Sequence, residues 1–199
     1  YIFYDNWNND VVFETINGGN DTISFANVTT GLTFNFGFDG SGAPQVIIGD
    51  GLGNTTTATG GHVENFVGGA QADNFVLANN VTMTGVLDGN GGYDTLDYGA
   101  YLSSRHVLLS ELGSIDGFQG VEASGGFDNI DQLLGTALRD SLTGRNAPAE
   151  FILNGADQYR STNTLDFAAF ENIIGGTGAD TFGLQGVHTG DLFGGLGDD

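Results

Sequence analysis

The chain has 199 residues, among them 35 Gly, 19 Asp and 15 Phe, with four Arg, no Lys and no Cys. A net charge of −21 repels nucleic acid and anionic membrane surfaces, and the lack of Cys excludes disulfides and thiolate metal sites. The apolar fraction of 39% suffices for a core, while no run reaches the ~18 apolar residues of a membrane span.

In chain order, Val11-Val12-Phe13, residues 32–36 and Val46-Ile47-Ile48 read as short strands between Gly, Asn and Asp turns. Leu32, Phe34 and Phe36 alternate onto one face, as a strand requires. Residues 39–61, rich in Gly and Thr, read as a loop insertion. The stretch 101–112 is the one candidate for helical periodicity. A second loop insertion is expected at residues 144–162, around Pro148.

Internal repeats organise the rest. Gly18-Gly19-Asn20-Asp21-Thr22-Ile23, Gly91-Gly92-Tyr93-Asp94-Thr95-Leu96 and Thr162-Asn163-Thr164-Leu165 share a D/N-T-apolar core, and residues 63–75 align without gaps to residues 170–182. Gly175 through Gly183 fits G-G-x-G-x-D-x-U-x at every defined position, U being a large apolar residue. Gly194-Gly195-Leu196-Gly197-Asp198-Asp199 opens another copy, and Tyr1-Ile2-Phe3 supplies x-U-x in phase. The chain therefore reads as one module, 1–199, one period of a tandem array, with sub-blocks 1–90, 91–153 and 154–199.

Motif aspartates, each followed two residues later by an apolar residue, are Asp21, Asp73, Asp94, Asp140 and Asp180, with Asp199 beginning the next. Ile23, Phe75, Leu96, Leu142 and Phe182 are expected to point inward. Asp116 and Asp157 fit less well and Asp39 poorly; Asp128 is expected on the opposite turn of a coil. The steps average about 20 residues, close to two nonapeptides.

The motif suits calcium. Its glycines permit tight turns whose carbonyl oxygens converge, and each Asp adds a hard carboxylate oxygen. The expected turn glycines are Gly18, Gly19, Gly68, Gly69, Gly91, Gly92, Gly175, Gly176, Gly178, Gly194, Gly195 and Gly197. Stacked turns lie about 4.8 Å apart, so an ion between them takes oxygens from two copies. A roomy loop of hard oxygens favours Ca²⁺ over Mg²⁺, with Asp73/Asp94 and Asp180/Asp199 the best-spaced pairs.

On these residues the chain resembles the RTX (repeats-in-toxin) family of secreted calcium-binding β-roll proteins, and is most similar to the very large repeat-built adhesins. Gly175–Gly183 and Gly194–Asp199 carry the resemblance most strongly. It implies export by type I secretion from a Gram-negative bacterium and folding on meeting extracellular calcium. The chain departs from the family in having no uninterrupted run of G-G-x-G-x-D, so some turns are expected to hold no ion.

Other constellations point elsewhere less well. His62, His106 and His188 are dispersed without zinc-like spacing, and no acidic cluster singles out Arg105, Arg139, Arg145 or Arg160 as catalytic. The expectation is an all-β parallel solenoid of β-roll type with loop insertions. It would act as a non-enzymatic extracellular module of an adhesin, surface layer or fibre, with further copies as partners. The alternatives are a module binding cell-surface glycans through residues 39–61 or 144–162, and the calcium-binding tail of a secreted enzyme.

Overall fold

A computed structural model describes residues 1–15, 18–123 and 125–199. They are all-β, in two mixed sheets, and the chain passes repeatedly from one sheet to the other. β1 (Ile2–Tyr4) lies in the first sheet, β2 (Asn9–Phe13) in the second and β3 (Thr22–Asn27) in the first again. Three consecutive strands of the second sheet follow, β4 (Thr33–Phe38), β5 (Pro44–Gly49) and β6 (Thr55–Thr59). β7 (Asn65–Val67), β8 (Asn74–Leu77), β9 (Val86–Asp88) and β10 (Thr95–Asp97) then alternate between the sheets. β11 (His106–Leu112), β12 (Phe118–Glu122) and β13 (Gly125–Ile130) make a second triplet, in the first sheet. After β14 (Gln132–Leu134) and β15 (Ser141–Thr143), a third triplet, β16 (Ala149–Leu153), β17 (Asp157–Arg160) and β18 (Thr164–Ala168), lies in the second sheet. β19 (Asn172–Ile174), β20 (Asp180–Leu184) and β21 (Leu192–Phe193) complete the alternation.

Antiparallel pairing is confined to the three triplets; every other described pairing is parallel. Each triplet is a meander that folds back along its sheet. Its last strand joins the strand laid down before it (β6 on β2, β13 on β9, β18 on β14). Its first strand receives the strand laid down after it (β8 on β4, β15 on β11, β20 on β16). The expected 20-residue step therefore holds only where no meander intervenes. Phe75 pairs with Leu96 and Phe66 with Leu87, each 21 residues on, whereas Ile23 pairs with Phe66, 43 residues on.

The meanders correct three expectations. Residues 39–61 and 144–162 are not loops, for the first holds β5 and β6 and the second β16 and β17. The stretch 101–112 is not helical. From His106 its side chains alternate, with Val107 and Leu109 buried and Leu108 exposed, so β11 satisfies period two.

Register in parallel strands stacks like positions over like, and this builds the core between the sheets. Phe34, Phe75, Leu96, Leu133 and Phe167 form one inward column; Ile23, Phe66, Leu87 and Phe127 form another opposite it. Phe34 stacks on Phe75 with ring centroids 4.5 Å apart and meets Phe66 of the other sheet edge-on at 6.4 Å. Of the five residues expected inside, Ile23, Phe75, Leu96 and Leu142 are buried; Phe182 is partly buried, stacked 5.1 Å from Phe151. Ile2 departs from its expected phase. It registers with Ser24 and is 65% exposed, while Phe3 turns in to stack on Phe25 at 4.7 Å.

Phe34 contacts both sheets, so Phe34→Ala is expected to lower unfolding free energy by about 3–5 kcal/mol. Val11→Ala, on an exposed edge strand, should change it by less than about 0.5 kcal/mol. Urea denaturation compares the two, and equal losses would contradict a core between the sheets.

Candidate functional site

Eight strands are preceded or opened by one triplet pattern: an acid, then Asn, Thr, Ser or Gln, then Phe, Ile or Leu. The copies are Asp21-Thr22-Ile23, Glu64-Asn65-Phe66, Asp73-Asn74-Phe75, Asp94-Thr95-Leu96, Asp131-Gln132-Leu133, Asp140-Ser141-Leu142, Glu171-Asn172-Ile173 and Asp180-Thr181-Phe182. The third residue turns into the core and the middle one takes the opposite face of the strand, where Thr95 and Ser141 are nonetheless buried. Middle residues align across strands, and Thr95 Oγ1 donates to Gln132 Oε1 at 3.1 Å.

The acid has a backbone task. Its carboxylate accepts the amide N–H of the equivalent position on the strand behind it. Leu32 N–H donates to Asp73 Oδ1 at 2.6 Å, Asp73 N–H to Asp94 Oδ1 at 2.8 Å and Asp94 N–H to Asp131 Oδ2 at 3.0 Å. The same link joins Asp21 to Glu64 (2.8 Å), Arg105 to Asp140 (2.6 Å), Asp140 to Glu171 (2.9 Å) and Asp180 to Asp199 (2.8 Å). The second oxygen can close the turn in front, accepting Gly69 N–H for Asp73, Thr136 N–H for Asp140 and Gly176 N–H for Asp180. A charged acceptor makes such bonds stronger than neutral ones.

This closure explains a glycine five residues before the acid. A Cβ at Gly175 would collide with Gly194 O and with Asp180 Oδ2, and Gly68, Gly89 and Gly135 are crowded in the same way by the following strand's carbonyl and their own Asp. Gly194 packs against Asp199. Other expected turn glycines answer to neighbouring backbone, Gly92 to Gln71, Gly195 to Gly176 and Gly197 to Gly178. Gly176 and Gly178 are crowded by the backbone of Arg145 and of Ala147-Pro148, on the turn that leads into β16, and not by an Asp carboxylate. Their lack of a side chain lets two turns stack closely. Gly91 and Gly19, also expected as turn glycines, are uncrowded; the glycine that closes on Asp94 is Gly89.

Hairpin aspartates behave differently. Asp39 accepts Ser41 and Ala43 N–H within its own turn, and Asp157 accepts Asn154 and Gly155 N–H. Hydrogen bonds from Ser41 and Ala43 hold the Asp39 carboxyl below its usual range. In the ladder the direction reverses. Burial pushes Asp73 up to about 7, Asp94 to about 8 and Asp131 to about 6, with neighbouring carboxylates adding to the rise in Asp94 and Asp131. Asp180 is raised by burial too.

One place concentrates this charge. Asp94, Asp131 and Asp116 each offer a carboxylate oxygen within 4.8 Å of the other two. Asp116 arrives on the 113–117 turn between β11 and β12, where Asn129 Oδ1 accepts Ile115 N–H (2.7 Å) and Asp116 N–H (3.3 Å). Among the described residues, Asp94 Oδ2 and Asp116 Oδ1 are buried without a hydrogen-bond donor. All four arginines are paired elsewhere, with Glu122, Asp191, Glu111 and Glu150.

Sequence reasoning located the ladder positions Asp21, Asp73, Asp94, Asp140, Asp180 and Asp199. Asp128 lies instead on β13 and accepts Ser114 and Asn129 N–H. Glu64, Asp131 and Glu171 were missed. Their signal was the acid-polar-apolar triplet itself, hidden by the search for Asp behind glycines. The fit to a cation differs along the ladder. Asp73 and Asp140 have amide donors on both oxygens, whereas Asp94, Asp180 and Asp21 each keep one buried oxygen without a donor among the described residues. These hard oxygens fit calcium chemically. Compared with known proteins, the chain matches no family model, no curated protein and no solved structure.

The raised carboxyls set a pH dependence. Asp in an unfolded chain titrates near about 3.9, so a folded value of about 7 or 8 means the folded state holds its proton more tightly. That stability is full below about pH 4 and is lost as pH rises through about 7 for Asp73 and about 8 for Asp94. In chelator, the melting temperature should fall from about pH 5 to about pH 9, less steeply in Asp94→Asn. Calorimetry reads both, and a melting temperature that climbs across that window would refute the assignment.

Proposed function

We propose that this chain is a calcium-stabilised β-roll module, a parallel solenoid interrupted by three meanders, serving as a non-enzymatic structural part of an extracellular adhesin, surface layer or fibre. The observation that carries it is the acid ladder: stacked, buried carboxylates with donor-free oxygens and every arginine committed elsewhere. Alternation between sheets and parallel register support the roll. The RTX resemblance at Gly175–Gly183 supports calcium and secretion from a Gram-negative cell.

Ions that bind only the folded turns stabilise them by mass action, so their binding energy becomes folding energy. Sites of this chemistry outside cells have dissociation constants of roughly 0.1–1 mM. They are empty in a cytoplasm and filled outside it, which keeps the chain loose for export and rigid afterwards. Circular dichroism in chelator and then in millimolar calcium is expected to show a gain of β signal and of melting temperature. Asp180→Ala should lower calcium stoichiometry and Asp39→Ala should leave it unchanged; equal effects would refute the reading.

Further copies of the module are the proposed partners. Edge strands β1 and β2 leave one side without a strand neighbour, and Ile2, Tyr4, Val11 and Phe13 there are exposed. At the other edge lie β20 and β21, with Leu184 and Phe193 exposed. Parallel strands at both ends permit head-to-tail pairing. Sedimentation velocity should show concentration-dependent association in calcium, abolished by Val11→Lys; a monomer at all concentrations would rule this out for separate chains.

A further inference from the structure

We propose that Asp94, Asp116 and Asp131 form a calcium-type cation site that fastens the turn of the second meander to the strand entrances. The proposal rests on the calcium reading above, but it places the ion outside the Gly-Asp turns. Asp116 comes from a hairpin turn, and no G-G-x-G-x-D copy precedes Asp131.

Three features point to an ion. First, one oxygen from each carboxylate lies within 4.8 Å of the others. Oxygens around one Ca²⁺ at about 2.3–2.6 Å stand at most about 5 Å apart, so the three fit a single ion. Second, Asp94 is fully buried and its Oδ2 has no donor among the described residues; the same holds for the buried Asp116 Oδ1. A buried carboxylate oxygen without a partner is costly, and here two belong to one cluster. Third, the neighbours deepen the negative field. Asp73 and Asp166 lie close enough to raise the proton affinity of Asp94 and Asp131 respectively. Three carboxylates favour Ca²⁺ over Mg²⁺, which takes one or two and keeps its water.

The donors come from three separated segments: the start of β10, the start of β14, and the 113–117 turn. Among the described residues, the hydrogen bond that ties that turn to the β10 entrance is a long one, Gly92 N–H to Asp116 Oδ2 at 3.3 Å. An ion shared by all three is a cross-link, so the turn should gain most from it.

The full chain, stripped with chelator, is titrated calorimetrically with Ca²⁺ at neutral pH. Asp116→Asn and Asp131→Asn should each lose one equivalent of calcium, or weaken one site about tenfold or more, with far-UV circular dichroism unchanged. Asp39→Asn should match the parent. Amide exchange at Ile115 and Asp116 should slow on adding Ca²⁺ to the parent and not to Asp131→Asn, a readout that survives if Asp116→Asn disturbs its turn. Terbium emission excited through Tyr93, next to Asp94, should be lost in both triad variants. If the parent binds calcium while both variants keep its stoichiometry, affinity and turn protection, the triad is wrong and the calcium reading stands. If the parent binds none, both fall.

Discussion

The fold depends on the amide where each parallel strand begins. In a parallel ladder that N–H has no partner inside its own turn, and burying it unpaired costs about 1–3 kcal/mol. Here the carboxylate at the same position of the next strand accepts it, as from Leu32 to Asp73 and from Asp73 to Asp94. Each strand thereby completes the one before. The requirement fixes the sequence locally: an acid at the entrance, an outward polar residue, an inward apolar one, and in the crowded turns a glycine five residues back.

The same solution creates an electrostatic problem. Two carboxylates with oxygens within 4.8 Å of each other repel by about 3 kcal/mol or more at an effective dielectric of 20, as much as a strong charge-assisted hydrogen bond returns. Where each oxygen faces amides, as in Asp73 and Asp140, the bonds compensate. Where an oxygen faces none, as in Asp94, the field must be relieved by a proton or a cation. Raised carboxyls and ion affinity are thus two answers to one excess of charge, and the first is available only at lower pH.

The period-two signals and the D-x-apolar steps made the strands, four buried core residues and most ladder acids legible in the sequence. The meanders were not. A strand running back antiparallel, such as β5 or β17, has the same alternation as a forward one, so periodicity carries no direction. Stacking order consequently departs from chain order, and Asp116 cannot be placed beside Asp131 from spacing alone. For the same reason the motif shows that Gly178 is needed without showing that the Ala147-Pro148 turn is what needs it. Glu64 and Glu171 escaped because the longer carboxylate performs the same capping without the motif's Asp. Asp131 escaped because no glycine pair stands before it as Gly125-Gly126 stands before Asp128.

The meanders also explain three positions where the ladder lacks an acid. The equivalent positions at the first strand of each meander are Leu32, Arg105 and Ala149. Behind each of these strands runs an antiparallel neighbour, whose chain enters at the opposite end and presents no start amide to cap. The ladder can therefore begin there without a carboxylate, and each meander interrupts the accumulation of charge. Arg105 goes further. Its guanidinium is buried against Glu122 of the same meander and over the Tyr101 ring at 4.1 Å, so its charge is neutralised locally. The second meander sends an acid back into the Asp94–Asp131 cluster, through Asp116 on its turn. The negative charge that the meander start omits is returned there, at the point where Asp94 has an oxygen left without a donor.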